Sequence, residues 1–442
     1  MVFKQLLLTA ACGLLAAACS SAESTAFPST PTAIQTATIT AMPRPTAIET
    51  LPLDAPETVL SVWLSWNPQE LNALRERMDA FREDFPGVAF SLRFVPQDEL
   101  LAEYLQAQTD SPHPAILLGP SSWGRSLQEQ GALLGLNELV DAELMTGVSA
   151  LGWSQAVVDE AIIALPFELQ GNVLFRNTAL TSGPAGTVSA WIEAAAAIAN
   201  DDILGSALDL GFDGSVPQLA ACREALFLAD GSYGFSGEAG VCWLELLQEI
   251  RRTGQIYFGS AVDDARFIEG SAGWWIGPTT VLEELDAALG SDAYTIDAWP
   301  TYDVTGAAMA GFVWTENIYF SPMEDSAALE AAWNFSRFLL TPASQRVLSD
   351  PNGAAHIPVL EGLDLGDPLM AAASAAVQSG VPLPLRPDLI VFKAPLEEAV
   401  FDALVQGRAP IDAIEAAENK IEFSLSILSV GGELPEDEGA EP

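Results

Sequence analysis

Tryptophans and planar polar side chains gather at the ends of apolar runs in this sequence, and they set the chemistry it offers. Trp66 and Asn67 follow the run Val59–Leu64, Ser122 and Trp123 follow Ala115–Leu118, and Thr279 comes just after Gly273–Ile276. Glu168 and Gln170 alternate between two further apolar runs, so both point to one face; Asp213 lies in a Gly-flanked turn, GFDG. An aromatic face suits the apolar C–H side of a ring, and a planar polar group suits paired hydroxyls. Each residue also has a plainer role. Trp66 and Trp123 are ligand-facing or core. Ser121, Ser122 and Thr279 cap helices or touch ligand, and Asp213 is more simply a turn residue. Trp274 and Trp275 point oppositely on a strand, so one belongs to the core and the other, Trp275, to a cleft. A buried charge at Glu168 needs a partner, a ligand hydroxyl or an ion pair.

Catalytic and metal chemistry find little material. His113 is boxed between prolines and His356 precedes Ile-Pro; neither has a Cys or His neighbour at ligand spacing. No metal and no cofactor is expected. No G-x-S-x-G elbow and no P-loop occurs. Sixty carboxylates always permit an acid pair for glycoside hydrolysis, but no spacing singles one out. The chain reads as a non-enzyme, with a surface glycoside hydrolase as the remote alternative.

With 442 residues, 49% of them apolar, the chain exceeds a single core, and two domains are expected. The 18 Lys plus Arg against 60 Asp plus Glu give a net charge of −42. That charge repels nucleic acid and anionic lipid, so neither is an expected partner. Lys4, Lys393 and Lys420 are the only lysines.

The N-terminus carries an address. Lys4 precedes an apolar run from Leu6 to Ala18 that is too short to span a membrane, and Ala16-Ala17-Ala18 leads into Cys19. This resembles a bacterial lipoprotein signal covering residues 1–18, with Cys19 as the lipid-bearing residue; a plain cleaved signal peptide is the alternative. Residues 19–56 are rich in Ser, Thr and Pro and read as a tether. Residues 429–442 read as an acidic, disordered tail.

Globular sequence alternates strand and helix. Asn67-Pro68-Gln69-Glu70 combines an N-cap, a proline in the first turn and a glutamate three residues on. Val59–Leu64, Val88–Val95 and Ala115–Leu118 are strands separated by helices, an order that predicts a parallel sheet with ligands beyond its carboxyl ends. In Glu160–Leu180, the runs Ala161–Phe167 and Val173–Phe175 flank the turn-prone Glu168–Gly171. The expectation is a path leaving one sheet for another with Gly171 at the joint. Helices are also expected at Val216–Ala229 and Ala239–Thr253, among others. Cys222 and Cys242 fall on these two helices, where an exported chain favours a disulfide over two buried thiols.

These landmarks, in order, resemble the extracellular solute-binding proteins of ABC importers, in particular the sugar-binding family with the maltose and maltodextrin receptors. The resemblance is carried by VWLSW at 62–66, PAILLGPSSWGRSLQEQGALLGL at 114–136, ALPFELQGNVLFRN at 164–177, DDARFIEGSAGWWIGP at 263–278, SRFLLTPASQ at 336–345 and VPLPLRPDLIVF at 381–392. It implies an α/β, two-lobed periplasmic-binding-protein-like fold. Each lobe would be a mostly parallel sheet flanked by helices, with crossings near Glu168–Gly171, Gly311–Trp314 and Asp350–Ala354. It assigns residues 57–169 plus 313–352 to lobe 1 and 170–312 plus 353–428 to lobe 2. By position in the family pattern it adds Trp314, Phe392 and Lys393 to the cleft. Lys393 either pairs with a neighbouring carboxylate or binds an anionic sugar.

The sequence also departs from the maltose receptors. Gly119 stands where they place a stacking Trp, Ser122 and Trp123 replace an Asp-Arg pair, and Gln170 replaces an acidic hinge residue. Gly214-Ser215-Val216 replaces a Glu-Pro-Tyr turn, and Thr279 and Lys393 replace tryptophans. The resemblance therefore implies a receptor for a sugar or oligosaccharide other than maltose. Such a receptor would be a monomer anchored at the outer face of the cytoplasmic membrane, handing its solute to an ABC permease. A non-sugar solute receptor and a sensory lipoprotein are the alternatives.

Overall fold

The first helix shows how directly the local sequence acts. In the computed structural model, which describes residues 48–50, 57–108, 114–259, 262–323 and 325–429, Asn67 Oδ1 accepts the N–H groups of Gln69 and Glu70 at 2.8 and 2.9 Å. The Glu70 carboxylate accepts the Asn67 N–H at 2.6 Å. This reciprocal cap satisfies donors that a helix start leaves free and launches the helix Pro68–Asp84. Its buried stripe of Ala73, Leu74, Met78 and Phe81 faces the sheet. Phe81 meets Phe90 and Phe335 edge-on; burying one such ring contributes up to about 3 kcal/mol.

The strands are β1 (Ile48–Thr50), β2 (Thr58–Leu64), β3 (Val88–Phe94) and β4 (Ile116–Pro120), then a small ribbon of β5 (Val157–Val158) and β6 (Ala161–Ile162). The long β7 (Leu165–Asn177) follows, with β8 (Leu204–Asp209), β9 (Gln255–Tyr257), β10 (Ala272–Pro278) and β11 (Tyr294–Asp297). β12 (Phe312–Phe320), β13 (Ile357–Pro358) and β14 (Val381–Pro382) complete the set.

Two sheets share β7. The first runs β1-β3-β2-β4-β12-β7, with β2 parallel to β3 and β4, and β12 antiparallel to β4 and β7. The second runs β7-β10-β8-β9, with β8 parallel to both β10 and β9 and β11 on the far side of β7. The hand-over is sharp. Gly171 pairs with Val313 in the first sheet, and the next residue, Asn172, pairs with Pro278 in the second. A Cβ on Gly171 would lie 2.8 Å from the Phe312 carbonyl oxygen, so glycine permits the close approach of the two crossing strands. The architecture is the two-lobed α/β fold expected.

Four details differ from expectation. Glu168–Gly171 is not a turn: β7 runs through it unbroken, because β12 and β13 supply partners on both sides. Ile48–Thr50, placed by composition in the tether, pairs antiparallel with Ser91–Arg93 at the sheet edge. The helix expected over Val216–Ala229 is a 3-10 turn at Val216–Cys222, ended by Arg223 in the left-handed region at φ 65°. Finally, Ile357–Pro358, assigned to lobe 2, still pairs with Leu169 and Glu168 in the first sheet. The signal segment 1–18, Cys19, His113 and residues 430–442 lie outside the described residues.

Candidate functional site

The joint between the two sheets lies where β7 runs beside β12. Trp314 stands opposite Gln170 in their register, and its Nε1–H donates to Gln170 Oε1 at 2.7 Å. Both are half-buried. Beside them the Gly171 N–H donates to Thr279 Oγ1 at 3.2 Å, so Thr279 ties the second lobe to the joint instead of capping its own helix.

Hydrogen bonds between distant segments surround this joint. On one side Asn67 Nδ2 donates to Glu283 Oε2 at 3.2 Å. On the other, Gln155 Nε2 donates to the Leu383 carbonyl at 3.0 Å and Arg125 Nε to that of Leu385 at 3.4 Å. Next to the Gln155 contact lies a recess of about 410 Å³, largely apolar, lined by Gln155, Val157, Val216, Phe227 and Leu383 among others.

A second recess, of about 350 Å³, opens beyond the carboxyl ends of β8 and β10, where an open α/β sheet takes ligands. Asp209, Asp213, Asp263, Asp264 and Glu397 line it, with the edge of Trp275 and with Asn172. Part of this acidity is structural. Asp209 accepts from the N–H groups of Gly211 and Gly259, Glu397 from that of Phe212, and Asp263 from Trp275 Nε1 at 2.8 Å. Asp213 is exposed and its backbone carbonyl accepts from Asn172 Nδ2. Lys393 Nζ lies 5.4 Å from the centre of the Phe212 ring, and its charge bears on Asp213.

Near the joint is a buried polar cluster. His356 Nε2 is 3.4 Å from Glu70 Oε1 and 3.6 Å from Glu168 Oε2, and Glu316 Oε1 accepts the Trp66 Nε1–H at 3.4 Å. Burial pushes the Glu168 carboxyl up to about 7, against the pull of His356. Burial and the facing Glu168 push Glu316 up to about 8. Burial would lower His356, but Glu168, Glu70 and Glu316 outweigh it and hold the imidazole above its ordinary value. Glu316 is a site residue that no motif or spacing in the sequence marks. It is a lone acid inside the apolar run FVWTENIYF, as Glu168 is in LPFELQ.

The twelve expected site residues thus divide. Trp66 is only 5% exposed, stacked on Phe167 and set edge-on to His356, which makes it a core tryptophan. Phe392 is fully buried against Phe227 and Tyr233, because its helix turns that face inward. Trp275 is mostly core, stacked on Phe175, with only its edge on the acidic recess. Trp123 is half-buried and lies over Gly119, whose missing side chain makes room for the ring. Ser122 is exposed on the same turn. Asn67, Gln170, Thr279 and Trp314 make hydrogen bonds around the joint, Asp213 lines the acidic recess with the Lys393 charge acting on it, and Glu168 joins the buried cluster. Cys222 and Cys242 are bonded. Among the described residues no group of three His, Cys, Asp or Glu is placed to hold a metal ion. No described helix is long and apolar enough to cross a membrane.

Residues 76–378 match the family described as bacterial extracellular solute-binding protein. The chain belongs to that family. The solute-binding fold is equally plain in solved structures. An extracellular solute-binding protein from Staphylococcus aureus, solved in complex with maltose, is 18% identical with a TM-score of 0.71, over 84% of this chain and 98% of its own. The maltose-binding protein MalE of Listeria monocytogenes is 17% identical, TM-score 0.70, over 83% and 98%. The cyclic alpha-maltosyl-1,6-maltose binding protein of Arthrobacter globiformis is 18% identical, TM-score 0.69, again over 83% and 98%. No curated protein matches the chain. At these identities the solved structures fix the fold of this solute-binding protein and leave its solute to the site.

Proposed function

We propose that this solute-binding protein captures a sugar or oligosaccharide between its lobes and presents it to an ABC permease. The observation that carries the reading is the Gln170–Trp314 pair beside the point where β7 passes from one sheet to the other. It offers an indole face and a planar amide side by side, the pair that ring and hydroxyl recognition needs. Closure about the shared strands would bring both lobes onto one solute, and the closed form is what a permease would recognise. Structural relatives solved with maltose, maltotriose or maltotetraose support a sugar. The missing maltose contacts support one other than maltose. The N-terminal sequence supports a monomer tethered through lipid at Cys19 on the outer face of the membrane.

One observation favours a second reading. Five carboxylates line the recess at the ends of β8 and β10 against a single lysine, an environment that attracts a cationic solute such as an aminated sugar or polyamine. Calorimetry and thermal shift with neutral mono- and oligosaccharides, amino sugars and polyamines decide between them. Saturable heat with a neutral oligosaccharide supports the first reading; heat with the cations alone replaces it. Turnover of an aryl glycoside would overturn both.

A further inference from the structure

We propose that the Glu70–Glu168–Glu316–His356 cluster is a proton-operated fastener of the hinge: with its protons it holds the crossing strands together, and without them it lets the lobes part. The inference rests on the reading that the lobes open and close, but not on which solute they hold.

The placement of the four groups carries it. Glu168 lies on β7, the strand that runs through both sheets, and Glu316 directly opposite on β12. His356 precedes β13, which pairs with the same stretch of β7. Glu70 completes the ring from the first turn of the helix Pro68–Asp84. Among the described residues, the titratable groups that act on Glu168, Glu316 and His356 are one another and Glu70, with the buried Tyr319 hydroxyl also coupled to Glu316. Glu168, Glu316 and His356 are almost fully buried, so the charge state of the ring is set inside the protein and not by solvent. His356 Nδ1 is buried with no hydrogen-bond partner among the described residues. Attraction from the carboxylates on the Nε2 side is therefore what retains its proton.

Two hydrogen-bond chains lead from the ring to the contacts between lobes. Glu168 is hydrogen-bonded to Gln170, Gln170 to Trp314, and the adjacent Gly171 N–H to Thr279 of the second lobe. Glu70 accepts from Asn67, whose side-chain amide reaches Glu283 of the second lobe. With Glu168 and Glu316 neutral, the strand pair packs without cost. With both ionised, two like charges face one another in a dry site, offset in part by His356 beside Glu168, and spreading β7 from β12 at the bulge after Glu316 relieves the rest. Spreading there moves Gly171 and loosens the Thr279 contact. Rising pH thus opens the gap.

The test uses the full chain without ligand. In His113→Gln protein, His356 gives the only imidazole NMR signal, and small-angle scattering reports lobe separation over about pH 5 to about pH 9. The expected result is an imidazole titrating above about 6.5, and a radius of gyration that grows as pH passes about 7 to about 8. The growth is lost in the Glu168→Gln/Glu316→Gln double variant and reduced in Glu316→Gln, with circular dichroism showing each variant folded. A wild-type radius that stays flat, the same growth in the folded variants, or an imidazole titrating at or below about 6.5 overturns the proposal. Because no solute is used, a failed sugar panel sinks only the functional reading, and flat scattering in a protein that binds sugar sinks only the fastener.

Discussion

Glu316 stands directly across from Glu168 in the pairing of β12 with β7, both carboxyls buried and a bulge immediately after them. Two acids in register inside a protein are tolerable only while at least one keeps its proton. Both have folded-state values above the ordinary 4.5, at about 7 and about 8. The folded state therefore binds protons that the unfolded chain releases near 4.5. Their stabilising effect is complete below that value and is lost as pH rises through about 7 and then about 8. His356, also raised, acts in the same direction. Urea unfolding should show stability falling by on the order of 3 kcal/mol between about pH 5 and about pH 8.5, and Glu316→Gln should flatten the curve. A wild-type stability that climbs over this range would contradict the protonation scheme.

Gly171 is the position where a side chain has no room. Alanine there would set its Cβ 2.8 Å from the Phe312 carbonyl oxygen and 3.2 Å from a Val313 methyl. Gly171→Ala should cost about 1 to 3 kcal/mol, with Gly183→Ala, at a site with nothing within 4 Å, as the control. Equal unfolding midpoints for the two variants would show that the strands separate freely.

Asn67 has two duties that mutation can divide. Its Oδ1 caps the first helix and its Nδ2 reaches Glu283 in the other lobe. Asn67→Ala should lose about 1 kcal/mol of stability, whereas Glu283→Ala, which removes only the contact between lobes, should stay within about 0.5 kcal/mol. Chemical unfolding measures both. A larger loss for Glu283→Ala would place the stabilising role between the lobes.

The Cys222–Cys242 bond closes a loop of sequence separation 20. The double change to alanine should cost about 3 kcal/mol, since the freed loop regains conformational entropy in the unfolded chain. Thiol titration of the unfolded protein before and after reduction should differ by these two groups.

Much of the covalent and local detail was legible because it depends on neighbours in sequence. The disulfide followed from two cysteines in an exported chain, and the helix cap from four consecutive residue types. The joint at Gly171 followed from a glycine between two apolar runs. Misreadings came where partners are distant. Glu168–Gly171 looks like a turn by composition, yet strand partners from residues 312–320 and 357–358 keep it extended.

What the sequence determined alone is most of the order of strands and helices and the two-sheet plan, which follow from apolar periodicity and short-range caps, while the family came from a resemblance in motifs. Which tryptophans are enclosed was decided only by tertiary structure. Periodicity names the inward face of a strand but not what meets it. Trp66 is enclosed because Glu316, 250 residues away, accepts its indole N–H and Phe167 covers its ring. Trp314 stays half-buried near the start of β12, hydrogen-bonded to Gln170 beside the joint. The shared proton site under the hinge likewise arises only when three separated chain segments and one helix end fold against each other.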